Sequence, residues 1–207
     1  MIHEFKLPTD MVKIREKVMG LSSLWDTRLP DKPFFTLGGS AYLDIDRDDK
    51  SLYEYKTRTF NAPMVHCFGD LYKDIQSVLT DHLKIPCNFD HNYCVPGFHI
   101  FFSHEDFVTT GGPWHMDMGH IQLGLPEVDP ISFTATIKLP TDGGGIQYKF
   151  TSGGEEHYLP YEVGGMILHD GCMMHKIAPL NSLYEDDERI TMQGHGVKVD
   201  GEYVLFW

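Results

Sequence analysis

From about Tyr93 onward the chain breaks into short runs of β-branched and aromatic residues divided by Gly, Pro, Asp and Ser. This punctuation constrains the fold more than any other feature of the sequence. The runs Phe98–Ser103, Ile131–Leu139, Ile146–Phe150, Glu156–Leu159, Met166–Leu168, Ile190–Val199 and Tyr203–Phe206 read as strands. A succession of short strands has many edges to protect, and a sandwich or barrel protects them. The expected core is therefore an antiparallel β-structure over residues 93–207.

The preceding residues, 1–92, read differently. Met11, Ile14, Val18 and Met19 recur at helical spacing after a cap at Thr9 or Asp10, and Gly20 is a natural stop. Phe34 to Leu43 looks extended, with a turn or bulge at Gly38-Gly39. A second helix is predicted from about Phe68 to Leu83, where Leu71, Ile75, Val78, Leu79 and His82 share a face. The fold class expected is mostly β with flanking helices (α+β). Residues 1–92 form a helical and extended flank packed on the core, and nothing resembling a linker divides 1–207.

The chain has 207 residues and a formal net charge of −13. That balance argues against a phosphate-backbone binder, which needs clustered Lys and Arg, so nucleic acid is not an expected partner. Cys67, Cys87, Cys94 and Cys172 form no C-x-x-C pair and fit no zinc ribbon, which suggests free thiols in a reducing compartment. Cys172 is expected to pack, close to the residues discussed next. The opening residues lack an apolar stretch of signal-peptide type, and no run approaches a membrane span. The expected location is cytoplasmic, with no membrane partner.

The chemistry concentrates in His115-Met116-Asp117 and, much later, His175. Along a strand, positions i and i+2 point the same way, so His115 and Asp117 can aim an imidazole and a carboxylate at one metal ion. A second imidazole from a distant strand, His175, completes a triangular face. Two histidines and one carboxylate on one face leave open coordination positions, an arrangement suited to non-haem Fe(II) and O₂. An H-x-D alone says little in a chain with twelve histidines. Its surroundings add to it. Gly111-Gly112-Pro113-Trp114 turns the chain into it, and His175 follows the run Gly165-Met166-Ile167-Leu168. Arg189 and Thr191 open a strand fourteen residues later.

This arrangement resembles the Fe(II)- and 2-oxoglutarate-dependent dioxygenases, in which an H-x-D…H triad is followed by an R-x-S or R-x-T pair. The resemblance covers about residues 93–199. Gly164 to Gly171 looks like the glycine-led strand that introduces the second histidine, and Gly143-Gly144-Gly145 like the turn between the two halves of the motif. It implies a double-stranded β-helix, the jelly roll of cupin type. It also implies Fe(II) held by His115, Asp117 and His175, with 2-oxoglutarate and O₂ as co-substrates. Arg189 and Thr191 would then grip the distal carboxylate of 2-oxoglutarate. The implied activity is oxidation, most simply hydroxylation, of a C–H bond in a small molecule or a peptide side chain, with release of succinate and CO₂. Asp117 argues against halogenation, since halogenases of this family carry a small residue there. The guanidinium fork of Arg matches a carboxylate, and Thr191 would share its face at i+2. The alternative for Arg189 is a surface pair with one of Glu185, Asp186, Asp187 or Glu188.

The other histidines have plainer readings. His169 is expected to pack near the ligands, His120 to lie at the surface or pocket rim, and His99 to line the co-substrate pocket. Trp114 and Met116 alternate with the ligands and are expected in the core. Tyr93, Phe98, Tyr148 and Tyr158 could line a substrate cavity, although aromatic residues in strands are mostly core. Two other functions stay open at this level. One is a cupin-type metal enzyme without 2-oxoglutarate, which would need no Arg189-Thr191 pair. The other is a non-catalytic jelly-roll binding module with incidental histidines.

Overall fold

The computed structural model describes residues 2–150 and 153–207. The chain enters as β1 (Ile2–Lys6) and α1 (Met11–Gly20), whose cap is Asp10; its carboxylate accepts from the amides of Val12 and Lys13. A hairpin of β2 (Asp26–Leu29) and β3 (Lys32–Leu37) follows, then a short α2 (Ala41–Asp44) and a long α3 (Ser51–Leu83). Next come β4 (Cys87–Phe89), β5 (Gly97–Phe102), α4 (Glu105–Thr109) and α5 (Gly119–Leu123). The remainder is β: β6 (Ile131–Lys138), β7 (Gly145–Lys149), β8 (His157–Pro160), β9 (Gly165–Asp170), β10 (Met174–Ile177), β11 (Glu188–Val199) and β12 (Glu202–Phe206).

These strands form two sheets among the described residues. The larger runs β1-β9-β6-β11-β5-β3-β2, with β12 and β4 continuing from β11; the smaller is β10-β7-β8. In the larger sheet, period-2 alternation divides the side chains cleanly. Phe98 and Ile100 of β5, Phe133 and Ala135 of β6, Met166 and Leu168 of β9, and Ile190 and Met192 of β11 share one hydrophobic cluster with α1 and α3. Met11, Ile14 and Val18 come to it from α1, and Leu71, Ile75 and Leu79 from α3. The opposite face carries His99, Thr134, Arg189 and His195, which line a cavity, and Ser132, which hydrogen-bonds His195. A second cluster joins the smaller sheet to that face through Ile146, Tyr161, Ile167 and Met173.

The expectation of a purely flanking first half is corrected. β1 pairs antiparallel with β9, and β3 with β5, so residues before 92 supply strands of the large sheet as well as helices. The extended reading of Phe34–Leu43 holds only to Leu37. Gly38 turns the chain with φ +106°, and α2 then winds so that Asp44 meets Arg28 and Lys56. The helix expected from Phe68 is the second half of α3, which starts at Ser51 and departs from helical geometry at Phe68. Its first half buries Lys56 and Thr57 alongside Tyr53 and Met64, so a polar component hides the apolar periodicity.

Trp207 ties this region together. Its ring is fully buried, its amide donates to the Cys94 carbonyl at 2.8 Å, and its own carbonyl accepts from Ala41 at the start of α2 and from the Tyr53 hydroxyl. Gly97 leaves the space its ring occupies: a Cβ there would lie 2.1 Å from the ring and 2.7 Å from the Leu37 carbonyl. Gly97→Ala is therefore expected to destabilise the fold by about 1–3 kcal/mol. Gly69→Ala, in open space on α3, should stabilise it by about 0.5–1 kcal/mol. Thermal and urea unfolding of the two variants against the parent checks both signs.

Candidate metal centre

His115 and His175 are joined through the backbone before their side chains meet. Each amide donates to the other residue's carbonyl at 2.9 Å, an antiparallel bridge that places His115 beside β10. The imidazole centroids lie 4.4 Å apart. Both Nδ1 atoms face backbone carbonyls at 2.9 Å, His115 that of Pro113 and His175 that of Met173. A carbonyl only accepts, so each Nδ1 carries the proton and each Nε2 presents a lone pair.

Asp117 enters from the loop after His115, with its amide donating to Gly171 at 3.0 Å. Its Oδ1 is 3.7 Å from His115 Nε2, and its Oδ2 is 3.5 Å from His175 Nε2. One ligand atom from each of the three residues lies within 4.8 Å of the others. Asp117 Oδ2 is buried and accepts no hydrogen bond among the described residues. Burial lowers the basicity of His175, His169 and His195. For the Asp117 carboxyl, burial opposes ionisation, but the surrounding imidazoles, His195 foremost, hold it below the usual carboxylate range. The result is a buried negative charge with an unsatisfied oxygen, facing two aligned imidazole lone pairs. A divalent cation fits that donor set.

Arg189 supplies the opposite charge deeper in the same cavity. It is 5% exposed, its Nε is buried without a hydrogen-bond partner, and it forms no ion pair among the described residues. Nη1 donates to the Thr191 hydroxyl at 3.4 Å, and Cζ lies 5.5 Å from the Tyr161 ring centroid and 5.7 Å from that of Phe101. Burial presses its pKa down, yet a guanidinium keeps its proton in proteins. A buried cation of this kind calls for an anion from outside the chain. The surface alternative fails because Arg189 is buried and pairs with none of the four acids: Glu188 pairs with Arg15, Asp187 accepts from the amide and hydroxyl of Thr141, and Glu185 and Asp186 are exposed. A register shift between Ile190 and Thr191 in the β11–β6 ladder interrupts the pairing beside Arg189.

His115, Asp117, His175 and Arg189 all line one cavity of about 490 Å³ between the sheets. Thr191 does not border it. It is fully buried beneath Arg189 and accepts from it, so it fixes the guanidinium and does not face the cavity. His99 lines the cavity as expected, with Nε2 bonded to the Tyr42 hydroxyl at 2.5 Å. His169 packs its ring on His175, with centroids 4.7 Å apart.

Several expectations are corrected. His115 and Asp117 do not lie on a continuous strand: His115 makes a single bridge, and the chain bends into α5 two residues after Asp117. That bend buries His120, expected at the surface or pocket rim, to 2% exposure and away from the cavity. It also turns Met116 outward, 43% exposed and on the cavity rim, where core packing was expected. Trp114 lies partly buried beneath the ammonium groups of Lys149 and Lys176. Phe98 is core, and Tyr93, Tyr148 and Tyr158 are likewise away from the cavity. One neighbour had no assigned role in the sequence reading. His195 Nδ1 lies 3.7 Å from Asp117 Oδ2 and 3.0 Å from the Ser132 hydroxyl. Its period-2 spacing from Arg189 along β11 is the signal that points to it.

No family model matches the chain, and no curated protein matches it. Solved structures do. The chain is similar to AviO1 from Streptomyces viridochromogenes Tue57, at 11% identity over 97% of this chain and 90% of that one, with a TM-score of 0.54. It is less similar to an N-substituted L-amino acid dioxygenase from Burkholderia ambifaria AMMD in complex with alpha-KG, at 10% identity, full coverage of both chains and a TM-score of 0.46. SnoK, a non-heme alpha ketoglutarate dependent carbocyclase from nogalamycin biosynthesis, gives 8% identity over 100% of this chain and 92% of that one, with a TM-score of 0.47. The chain shares its fold with AviO1. At such identities the likeness concerns fold alone, and chemistry must be argued from the side chains.

The centre makes a direct prediction. Asp117→Ala removes the only carboxylate of the trio and should weaken Mn(II) binding by at least about 100-fold. Calorimetric titration of the metal-free protein with Mn(II) measures it, and unchanged affinity would remove Asp117 from the ligand set.

Proposed function

We propose that the protein is a non-haem Fe(II)- and 2-oxoglutarate-dependent oxygenase that oxidises a C–H bond of a small molecule. One observation carries the reading. Two imidazoles with a buried, unsatisfied carboxylate and a buried, unpaired guanidinium open onto the same cavity. A metal site alone would leave Arg189 without a purpose, which is why a cupin-type enzyme without 2-oxoglutarate fits less well.

In this reading His115, Asp117 and His175 hold Fe(II) on one face. Arg189, fixed by Thr191, takes the distal carboxylate of 2-oxoglutarate. Bound there, Fe(II) with 2-oxoglutarate would supply the O₂ chemistry that oxidises the substrate and yields succinate and CO₂. The chain's residues bind, orient and shield. The backbone carbonyls of Pro113 and Met173 keep both imidazoles in the tautomer that presents Nε2. Tyr161 and Phe101 exclude water from the guanidinium, so its pairing with a carboxylate acts at low dielectric. The side chain of His115 is 42% exposed and those of Asp117 and His175 only 10% and 5%, so the trio is open on the His115 side.

Two measurements test this. Anaerobic addition of Fe(II) and 2-oxoglutarate should produce a weak visible charge-transfer band, and succinate should form slowly in air. Arg189→Ala should weaken 2-oxoglutarate binding by roughly 2–5 kcal/mol while leaving Mn(II) affinity close to the parent's. A 2-oxoglutarate requirement unchanged by that substitution would assign the co-substrate another anchor.

A further inference from the structure

The cavity is larger than 2-oxoglutarate alone would fill, and the character of the remaining space is specific. One wall is aromatic. Phe34 of β3 stacks on its cross-strand partner Phe101 of β5, with centroids 4.3 Å apart and planes 2° from parallel. Phe107 meets Phe101 edge-on at 5.2 Å. The rim is apolar too: Leu29, Tyr42 and Met116 border the cavity while 40%, 44% and 43% exposed. Large apolar side chains left in water around one opening gain free energy when an apolar ligand covers them.

The carboxylates around this space are already committed. Lys32 and Asp106 at the mouth pair with each other. Glu188 pairs with Arg15, and Asp187 is occupied by Thr141. Lys176 lies over the Trp114 ring and donates to the Thr110 carbonyl at 3.4 Å, the one lining cation besides Arg189 with no carboxylate partner among the described residues. Asp117 and Arg189 are taken by the metal and the co-substrate. His99 is kept neutral by burial and by Arg189 and Arg28. A zwitterionic amino acid would bring an ammonium to a site with no free carboxylate for it among the described residues, at a desolvation cost it could not recover.

We propose that the oxidisable substrate is a neutral, ring-bearing apolar small molecule seated against the Phe34–Phe101–Phe107 wall, not an amino acid or a charged peptide. This rests on the oxygenase reading of the same cavity. The flat face of Phe34 would stack on the substrate ring, with Leu29, Tyr42 and Met116 closing over it.

The test uses the protein loaded with Zn(II) and 2-oxoglutarate, so that no turnover occurs. The neutral fluorophore prodan should bind with blue-shifted emission and be displaced by 2-naphthol. The zwitterion 3-(2-naphthyl)alanine, with the same ring system, should displace it at least about tenfold less well. Leu29→Asp, at an exposed rim position, should weaken prodan about tenfold and leave 2-oxoglutarate affinity unchanged. Phe34→Ala should weaken prodan in the same way. Equal displacement by the amino acid, or prodan affinity unaffected by both substitutions, would overturn the proposal. If 2-oxoglutarate binds and prodan does not, the substrate class fails and the oxygenase reading stands. If prodan binds and 2-oxoglutarate does not, the oxygenase reading fails and the neutral apolar preference of the cavity stands.

Discussion

Strand β11 is buried on both faces, and the two faces are buried for opposite reasons. Toward the helices it sends Ile190 and Met192 into the largest hydrophobic cluster; toward the smaller sheet it sends Arg189, Gln193 and His195. It pairs with β5, β6 and β12, which places it at the centre of the larger sheet. The free energy of apolar burial on one side therefore holds a charged group on the other side in a position that it could not occupy by itself. A guanidinium at the protein surface would find water or a neighbouring acid. In the middle of a packed sheet it finds neither, and an anion from solution becomes its natural partner.

The metal centre depends on a similar division of labour. Backbone hydrogen bonds between His115 and His175 set the spacing of the two rings, and the carbonyls of Pro113 and Met173 set their tautomers. None of these bonds uses a ligand atom. The atoms left over are two Nε2 lone pairs and the carboxylate of Asp117, arranged in advance of any ion. His195 and His169 crowd the same centre, one beside Asp117 and one against His175, and burial lowers the basicity of both.

The apolar rim of the cavity comes from the part of the chain that the strand pattern described least. Leu29 and Phe34 belong to the β2–β3 hairpin, and Tyr42 to α2. Asp44, two residues after Tyr42, is fixed by Arg28 and Lys56, and the start of α2 hangs on the Trp207 carbonyl. These ties are polar and long-range. They hold an apolar rim in place without adding charge to the cavity itself.

The strands after Tyr93, the helix after Asp10 and the second half of α3 were legible in the sequence, because apolar periodicity is a local property that burial of one face imposes on any strand or helix. His115, Asp117, His175 and Arg189 were legible as chemistry, because their types and order are written in the chain. The bend after Asp117 was not legible, and with it went the places of Met116 and His120. The first half of α3 escaped because Lys56 and Thr57 are buried there by partners far away in sequence. That Thr191 lies under Arg189, that His195 borders Asp117, and that Phe34 stacks on Phe101 depend on strand register and sheet packing. The sequence by itself determined which groups are available and which strand faces carry them. Only the tertiary structure decided which of them meet, which are stripped of water, and which charges are left unpaired, because these follow from contacts between segments that the local pattern does not encode.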